Sequence, residues 1–217
     1  MLPIHAPARR CFLTPIPQLS TAADLLASAA DRLLEGDAPN ARQLVSEADM
    51  PVIGAYTALV TGAVNPLVHW QSAMPAGAVG LERSAQRMPS SSVERAIYVR
   101  DGWRCRYCGT RVIDRSMRAR LHRCLPDVAR WGARNADKHT ALAALSASLD
   151  HIVPHSRGGT NDEPNLVTAC NACQFGRGQW TLDEVGFWDP REYPPVLDEW
   201  DGLTRLGRLA DAFNIPQ

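Results

Sequence analysis

The sequence predicts an α+β protein with a small core of two strands and a helix, stapled by a four-cysteine zinc site and flanked by helices. Two C-x-x-C pairs supply the thiols: Cys105 with Cys108, and Cys170 with Cys173. Short apolar segments on either side of a polar turn lie just before the second pair and predict the strands. Apolar residues at helical spacing elsewhere predict an N-terminal helical region and a helical insertion between the pairs.

The composition is that of a globular chain without a membrane span. The 217 residues are 45% hydrophobic, which is enough for a packed core. Prolines and glycines interrupt the longest uncharged stretch, residues 50–81, so we expect no transmembrane helix. No apolar segment follows the Arg9-Arg10 pair, which argues against a signal peptide. We therefore expect a cytoplasmic protein.

Residues 1–64 are expected to form the N-terminal helical region. Residues 20–35 carry apolar side chains at helical spacing and precede Gly36, a common stop signal, and residues 39–48 repeat the pattern. These helices are expected to pack on each other or on the central core. Residues 65–92 are rich in proline, glycine and serine and predict an irregular connection.

Charge is segregated along the chain, although the total is zero. Residues 1–82 hold 4 basic and 7 acidic side chains, residues 83–178 hold 16 and 8, and residues 179–217 hold 3 and 8. The positive charges of the central segment are all arginine except Lys138. Because arginine binds phosphate oxygens through two parallel bonds, this segment favours a nucleic-acid partner. The alternative is a solvated face neutralised by the acidic ends.

The two cysteine pairs favour zinc over the other chemistries of thiols. Two such pairs bring four thiolates into one tetrahedral sphere, the arrangement of a closed structural zinc site. Two disulfides are disfavoured in a reducing compartment, and a thioredoxin-like redox pair needs only one C-x-x-C. Cys11 and Cys124 have no partner at a metal-binding spacing and are interpreted as ordinary thiols.

The segment before the second pair predicts strand, turn, strand and helix. Leu149, Ile152 and Val153 form a short apolar strand that ends at Pro154. Residues 157–162 form a polar turn, residues 165–167 lead to the second cysteine pair, and a short helix begins near Cys173. Helices are also expected at residues 116–125 and 138–149, within an insertion of about 114–148, and at residues 200–213. These last lie in an acidic C-terminal extension, residues 186–217.

This central part resembles the HNH endonuclease family, whose ββα-metal core carries an Asp-His pair, an Asn and a residue at the start of the helix. The motifs that carry the resemblance are Asp150-His151-Ile152-Val153-Pro154, then Asn165-Leu166, then Cys170-x-x-Cys173. The resemblance spans about residues 93–185, including a helix at 93–100, and defines the expected nuclease domain. Within the family, the chain is similar to the zinc-stapled bacterial subgroup.

The resemblance implies a role for each matching residue. His151 would be the general base that deprotonates water, and Asn165 would hold the His151 ring through a hydrogen bond. Asp150 would bind a catalytic Mg²⁺ or Mn²⁺. Adjacent residues on a regular strand face opposite sides, so Asp150 and His151 share a site only if the strand twists or ends there.

One position departs from the family pattern. Gln174 follows the second cysteine pair, where the family places His or Asn as the second ligand of the catalytic ion. Glutamine has the same amide oxygen on a longer stem, so ligation, ligation through water and failure to reach all remain open. His155, Arg157 and Arg177 are candidates for contacts with DNA phosphate.

Three functions follow from these patterns. The first is a metal-dependent HNH endonuclease that hydrolyses phosphodiester bonds in duplex DNA. The second is a zinc-knuckle nucleic-acid-binding protein in which Gln174 has silenced catalysis. The third is a nuclease-like subunit of a larger assembly, with protein contacts made by the N-terminal or C-terminal region.

Overall fold

A computed structural model of the chain describes residues 10–61 and 88–209. Of the predicted connection, residues 65–92, the part from 65 to 87 therefore lies outside the described residues. Helices and strands follow the order α1 Pro17–Leu34, α2 Ala38–Ala48, α3 Pro51–Thr61, α4 Ser91–Arg100, α5 Arg115–Cys124, α6 Thr140–Ala144, β1 Ser148–His151, β2 Leu166–Ala169, α7 Asn171–Arg177 and α8 Leu182–Val185.

The two strands form an antiparallel hairpin, and helix α7 follows it directly. Asp150 lies opposite Val167, and His151 lies opposite Leu166 at the end of the pairing. Every residue of both strands is buried. This β1-β2-α7 order, with the four cysteines gathered beside it, confirms the predicted α+β fold class.

Helices α1 and α2 match the expected positions to within a few residues, whereas α3 was not predicted. Pro17 occupies the first turn of α1, where a missing N–H has no cost. Asp37 accepts a hydrogen bond from the Asn40 N–H and caps α2. Alanines at the contact let α1 and α2 pack closely together. Among the described residues, no helix combines the length and apolarity that crossing a membrane requires.

The N-terminal region packs onto the central part of the chain. Helix α3 contacts α6 and α7, and Gly54 of α3 lies against the Thr140 side chain. Arg111 donates to the Ser20 carbonyl at 2.9 Å, and Arg205 donates to the Ala27 carbonyl at 3.0 Å. Buried residues of the N-terminal, central and C-terminal parts form one hydrophobic core.

Two predicted helices are wrong in extent. Residues 138–149 contain only the short α6, because Ser148 and Leu149 pair with β2 instead. In residues 200–209, a turn replaces the first part of the predicted helix, since Gly202 and Leu203 both have positive φ, a conformation that ends a right-handed helix. A 3-10 helix follows at Thr204–Arg208, and residues 210–213 lie outside the described residues.

His139 joins the insertion to the N-terminal region and is fully buried. Its Nδ1 accepts from the Leu142 N–H at 3.2 Å, so Nε2 carries the hydrogen that is donated to the Val45 carbonyl at 2.8 Å. Burial lowers the pKa of His139 below its ordinary value. The folded protein therefore holds this ring neutral at a pH where the unfolded chain protonates it.

We expect this histidine to make stability depend on pH. Below the unfolded pKa of about 6.5, His139 binds a proton in the unfolded chain but not in the folded chain. The free energy of unfolding therefore falls by up to about 1.4 kcal/mol per pH unit as the pH is lowered. Urea unfolding of the parent and of His139→Gln between pH 5 and 8 measures the effect. The parent should lose more stability on acidification; identical slopes would contradict the assignment.

Candidate functional site

The four cysteines of the two C-x-x-C pairs meet at one point. Their sulfur atoms all lie within 4.8 Å of one another, and the sulfurs of Cys108 and Cys170 are 3.6 Å apart. A tetrahedral zinc with Zn–S bonds of about 2.3 Å places its sulfurs about 3.8 Å apart. The cluster therefore fits a structural zinc ion and has none of the short contacts of a disulfide.

Local backbone geometry presents these sulfurs. The Gly109 N–H donates to the Cys105 carbonyl at 2.8 Å, and Gly109 has φ of +76°, which closes the first turn. Cys170 precedes α7 and Cys173 lies in its first turn. Hydrogen bonds from the other three thiols lower the pKa of Cys108, whereas hydrogen bonds with Cys105 and Cys108 raise the pKa values of Cys170 and Cys173.

Asp150 is buried in an ion pair. Its Oδ1 accepts from Arg177 Nη2 at 2.6 Å, and its Oδ2 accepts from Arg177 Nε at 2.8 Å and from the Tyr107 hydroxyl at 2.9 Å. Burial alone would disfavour the guanidinium charge, but Tyr107 and Asp150 outweigh it and raise the pKa of Arg177 above its ordinary value. The Arg177 guanidinium therefore stays charged.

The cysteine cluster positions both partners of Asp150. Tyr107 lies within the first C-x-x-C pair, and Arg177 ends the helix that starts at the second. Arg177 also donates to the Trp180 carbonyl at 2.6 Å and to the His151 carbonyl. The four cysteines, Tyr107, Asp150 and Arg177 thus form a continuous connection between the two knuckles and β1.

The predicted catalytic ion does not fit Asp150 and Gln174 as they stand. Both Asp150 oxygens accept hydrogen bonds, and a divalent cation there would face the positive Arg177. The Gln174 amide oxygen accepts from the Ser148 hydroxyl, and its Nε2 donates to the Leu149 carbonyl at 3.1 Å. Neither side chain offers a free oxygen to a shared ion.

His151 has different partners from Asp150. Its Nε2 lies 2.8 Å from Asn161 Oδ1, and its ring centroid is 6.0 Å from that of His155. Because an amide oxygen only accepts, Nε2 carries the hydrogen and Nδ1 is the basic nitrogen. Nδ1 has no hydrogen-bond partner in the described part of the chain. The alternation of side chains expected along β1 thus keeps Asp150 and His151 apart.

Asn165 does not hold the His151 ring, contrary to the expectation. Its Oδ1 accepts from the Val153 N–H at 2.8 Å, and its Nδ2 donates to the Thr160 carbonyl at 2.8 Å. Gly159 is required beside it, because a Cβ there would lie 1.7 Å from the Val153 oxygen. Asn165 therefore closes the loop that presents Asn161 to His151.

The three candidate phosphate contacts differ in exposure. Arg177 is fully buried, so its predicted contact with DNA phosphate is wrong for this structure. The Arg157 side chain is 17% exposed and pairs with Glu184 at 3.1 Å. His155 is half-buried beside His151, at the start of the 3-10 helix His155–Arg157. Of the three candidates, His155 is the one whose ring lies next to that of His151.

Two residues of the site were not anticipated. Tyr107 stands between two cysteines, and only the fold reveals that its hydroxyl reaches Asp150. Asn161 lies in a polar turn, where asparagine is common for backbone reasons alone. The closeness of Asn161 in sequence to the Asp150-His151 pair was the one signal for its role that the sequence contained.

Comparison with known proteins supports the central resemblance. Residues 137–174 match the family model described as HNH endonuclease. The matched segment contains both strands, Asp150, His151 and the second cysteine pair, and it ends at Gln174. No curated protein and no solved structure matches the chain.

Proposed function

We propose that the chain is an HNH endonuclease that hydrolyses phosphodiester bonds in DNA, with His151 as the general base. The observation that carries the proposal is the His151 ring at the end of β1, inside the segment that matches the family. Its Nε2–H is held by Asn161 and its Nδ1 remains available to take a proton. A histidine nitrogen that carries no hydrogen can accept a proton from water and suits this role.

The chemistry needs one proton transfer at this ring. Nδ1 takes a proton from a water molecule, whose oxygen bonds to phosphorus as the bond to the leaving oxygen breaks. Asn161 then stabilises the charged ring, because its oxygen accepts from Nε2–H. The leaving oxygen takes a proton from solvent.

DNA is proposed as the substrate because of the net charge of +8 over residues 83–178, from 16 basic and 8 acidic side chains.

Zn²⁺ is proposed as the structural ion of the four cysteines. A reducing compartment such as the cytoplasm suits these thiols. A protein partner for the terminal regions stays a prediction.

The second candidate is a nucleic-acid-binding protein without catalysis. The Asp150–Arg177 pair favours it, because a guanidinium holds the carboxylate that the family assigns to Mg²⁺ or Mn²⁺. The two candidates share the zinc site and differ only in turnover.

Plasmid cleavage decides between the two candidates. Supercoiled DNA incubated with the zinc-loaded protein in Mg²⁺, Mn²⁺ or EDTA should be nicked or linearised, and His151→Ala should lower the rate by at least about a hundredfold. The loss follows from removing the nitrogen that accepts the proton.

His122→Ala is the matched control: among the described residues the His122 ring hydrogen-bonds to the Ala129 carbonyl and not to His151 or Asn161, so its removal should leave the rate unchanged. Zinc content and DNA affinity of His151→Ala should equal those of the parent. An equal rate in parent and His151→Ala would contradict the assignment of the base, and no cleavage under any metal would favour the binding protein.

A further inference from the structure

A cleft of about 740 Å³ lies between α3, the insertion and α7. Gln174 and Asn171 of α7 form one wall, and the insertion supplies Trp131. Its volume is within the range of about 300–1,000 Å³ that small-molecule sites occupy. The cleft therefore has room for one or two nucleotides and none for a duplex.

The lining of the cleft is positive. The described residues around it include four cations and no carboxylate: Arg115, Arg118, Arg130 and Lys138. Arg115 and Arg130 pair with Glu94 and Asp49, which do not belong to the lining. Arg118 and Lys138 have no carboxylate within ion-pair distance among the described residues. A protein of zero net charge thus concentrates unneutralised charge here.

The surroundings of the Arg118 guanidinium suit the binding of an anion. Its guanidinium stacks 3.7 Å from the centre of the Trp131 ring, and Nη1 donates to the Ser146 hydroxyl at 3.1 Å. Its Nε is buried and has no hydrogen-bond acceptor. Burial and the neighbouring Arg115 lower the pKa of Arg118, a shift that a bound anion would reverse.

Asn171, which lines the same cleft, has a second buried polar atom without a hydrogen-bond partner. Its Nδ2 donates to the Ala143 carbonyl at 3.0 Å, whereas its Oδ1 is buried without a donor. Buried polar atoms are nearly always satisfied in proteins, by protein, water or ligand. Both residues line the cleft, so a ligand with an anion beside the Arg118 guanidinium and a donor beside Asn171 would complement the polar groups of its wall.

We propose that this cleft binds an unpaired DNA segment, with a phosphate at Arg118 and a nucleobase or sugar donor near Asn171. The proposal rests on the proposed function, since the same helix α7 that lines the cleft belongs to the HNH-matching core. The cations come from α5 and from residues 130–138, a spread that suits a strand better than a single phosphate. The preferred DNA would carry a flap, gap or overhang.

Fluorescence anisotropy in EDTA tests the cleft without any cleavage. A duplex with a three-nucleotide overhang and a blunt duplex of the same sequence are compared at several salt concentrations. The parent should bind the overhang more tightly. Arg118→Gln should weaken overhang binding by about tenfold, the effect of losing one charge-assisted contact, and blunt binding much less. Its slope of log affinity against log salt should be shallower by about 0.7.

Lys138→Gln provides a second variant from a different segment and should act in the same direction as Arg118→Gln. Arg191→Gln is the matched control, because Arg191 pairs with Asp189 and does not line the cleft. Equal losses on both DNAs, or none, would overturn the proposal. Competition by deoxynucleoside monophosphate as tight as by the overhang would overturn it in favour of a free nucleotide. His151→Ala should bind like the parent, so failure of catalysis leaves this test intact.

Discussion

Replacement of Cys170 by serine is expected to give a protein that holds no zinc and does not fold. In structural zinc sites the metal supplies about 10–16 kcal/mol of apparent binding free energy, as much as or more than the net stability of about 5–15 kcal/mol of a typical domain. Here the cluster also positions Tyr107 and Arg177 against Asp150. Loss of one thiolate therefore removes the connection between the knuckles and the hairpin.

Metal analysis and circular dichroism of the purified variants measure this effect. The parent should contain about one zinc per chain, as expected for one Cys₄ site. Cys124→Ser is the matched control: burial raises the pKa of Cys124, so this thiol is packed and protonated, and it lies outside the cluster. A zinc-free parent, or a Cys170→Ser protein as stable as Cys124→Ser, would contradict the prediction.

Replacement of Arg177 by methionine is expected to destabilise the protein by about 3–5 kcal/mol, because it leaves the Asp150 carboxylate buried without its cation. Both partners are almost fully buried, so solvent does little to screen the lost charge. Urea unfolding of the zinc-loaded variant measures the change. Arg157→Met serves as control, since its pair with Glu184 is more exposed and should be worth about 1 kcal/mol or less.

A double variant separates the buried pair from its parts. Asp150→Leu with Arg177→Met removes both charges, so it should recover much of the stability lost in the single variant. Additive losses would show that the two side chains act independently. The Arg177→Met variant also tests the metal assignment. If Asp150 binds the catalytic ion, the affinity of the protein for Mn²⁺ should rise when Arg177 is removed. If the pair is purely structural, the affinity for Mn²⁺ should stay unchanged.

The four-cysteine cluster and the strand-turn-strand-helix order were predictable because both are local patterns. C-x-x-C spacing limits each pair of sulfurs to one turn, and the apolar segments before Cys170 mark the hairpin by composition alone. The helices at residues 20–35, 39–48, 93–100 and 116–125 also follow from apolar spacing and stop signals. Two helix predictions failed: at residues 138–149 strand pairing overrode a helical composition, and at residues 200–209 a turn replaced the start of the helix.

By itself, the sequence determined which residue types are available: four thiols in two C-x-x-C pairs, an Asp-His pair, and a basic centre. Only the tertiary structure decided their partners. In the folded protein Arg177 pairs with Asp150, His151 hydrogen-bonds to Asn161, and Asn165 closes a loop. It also brings α3, the insertion and α7 around one basic cleft. The reason is physical: spacing fixes a side chain's direction on its own element, whereas its partner depends on which distant element packs opposite it.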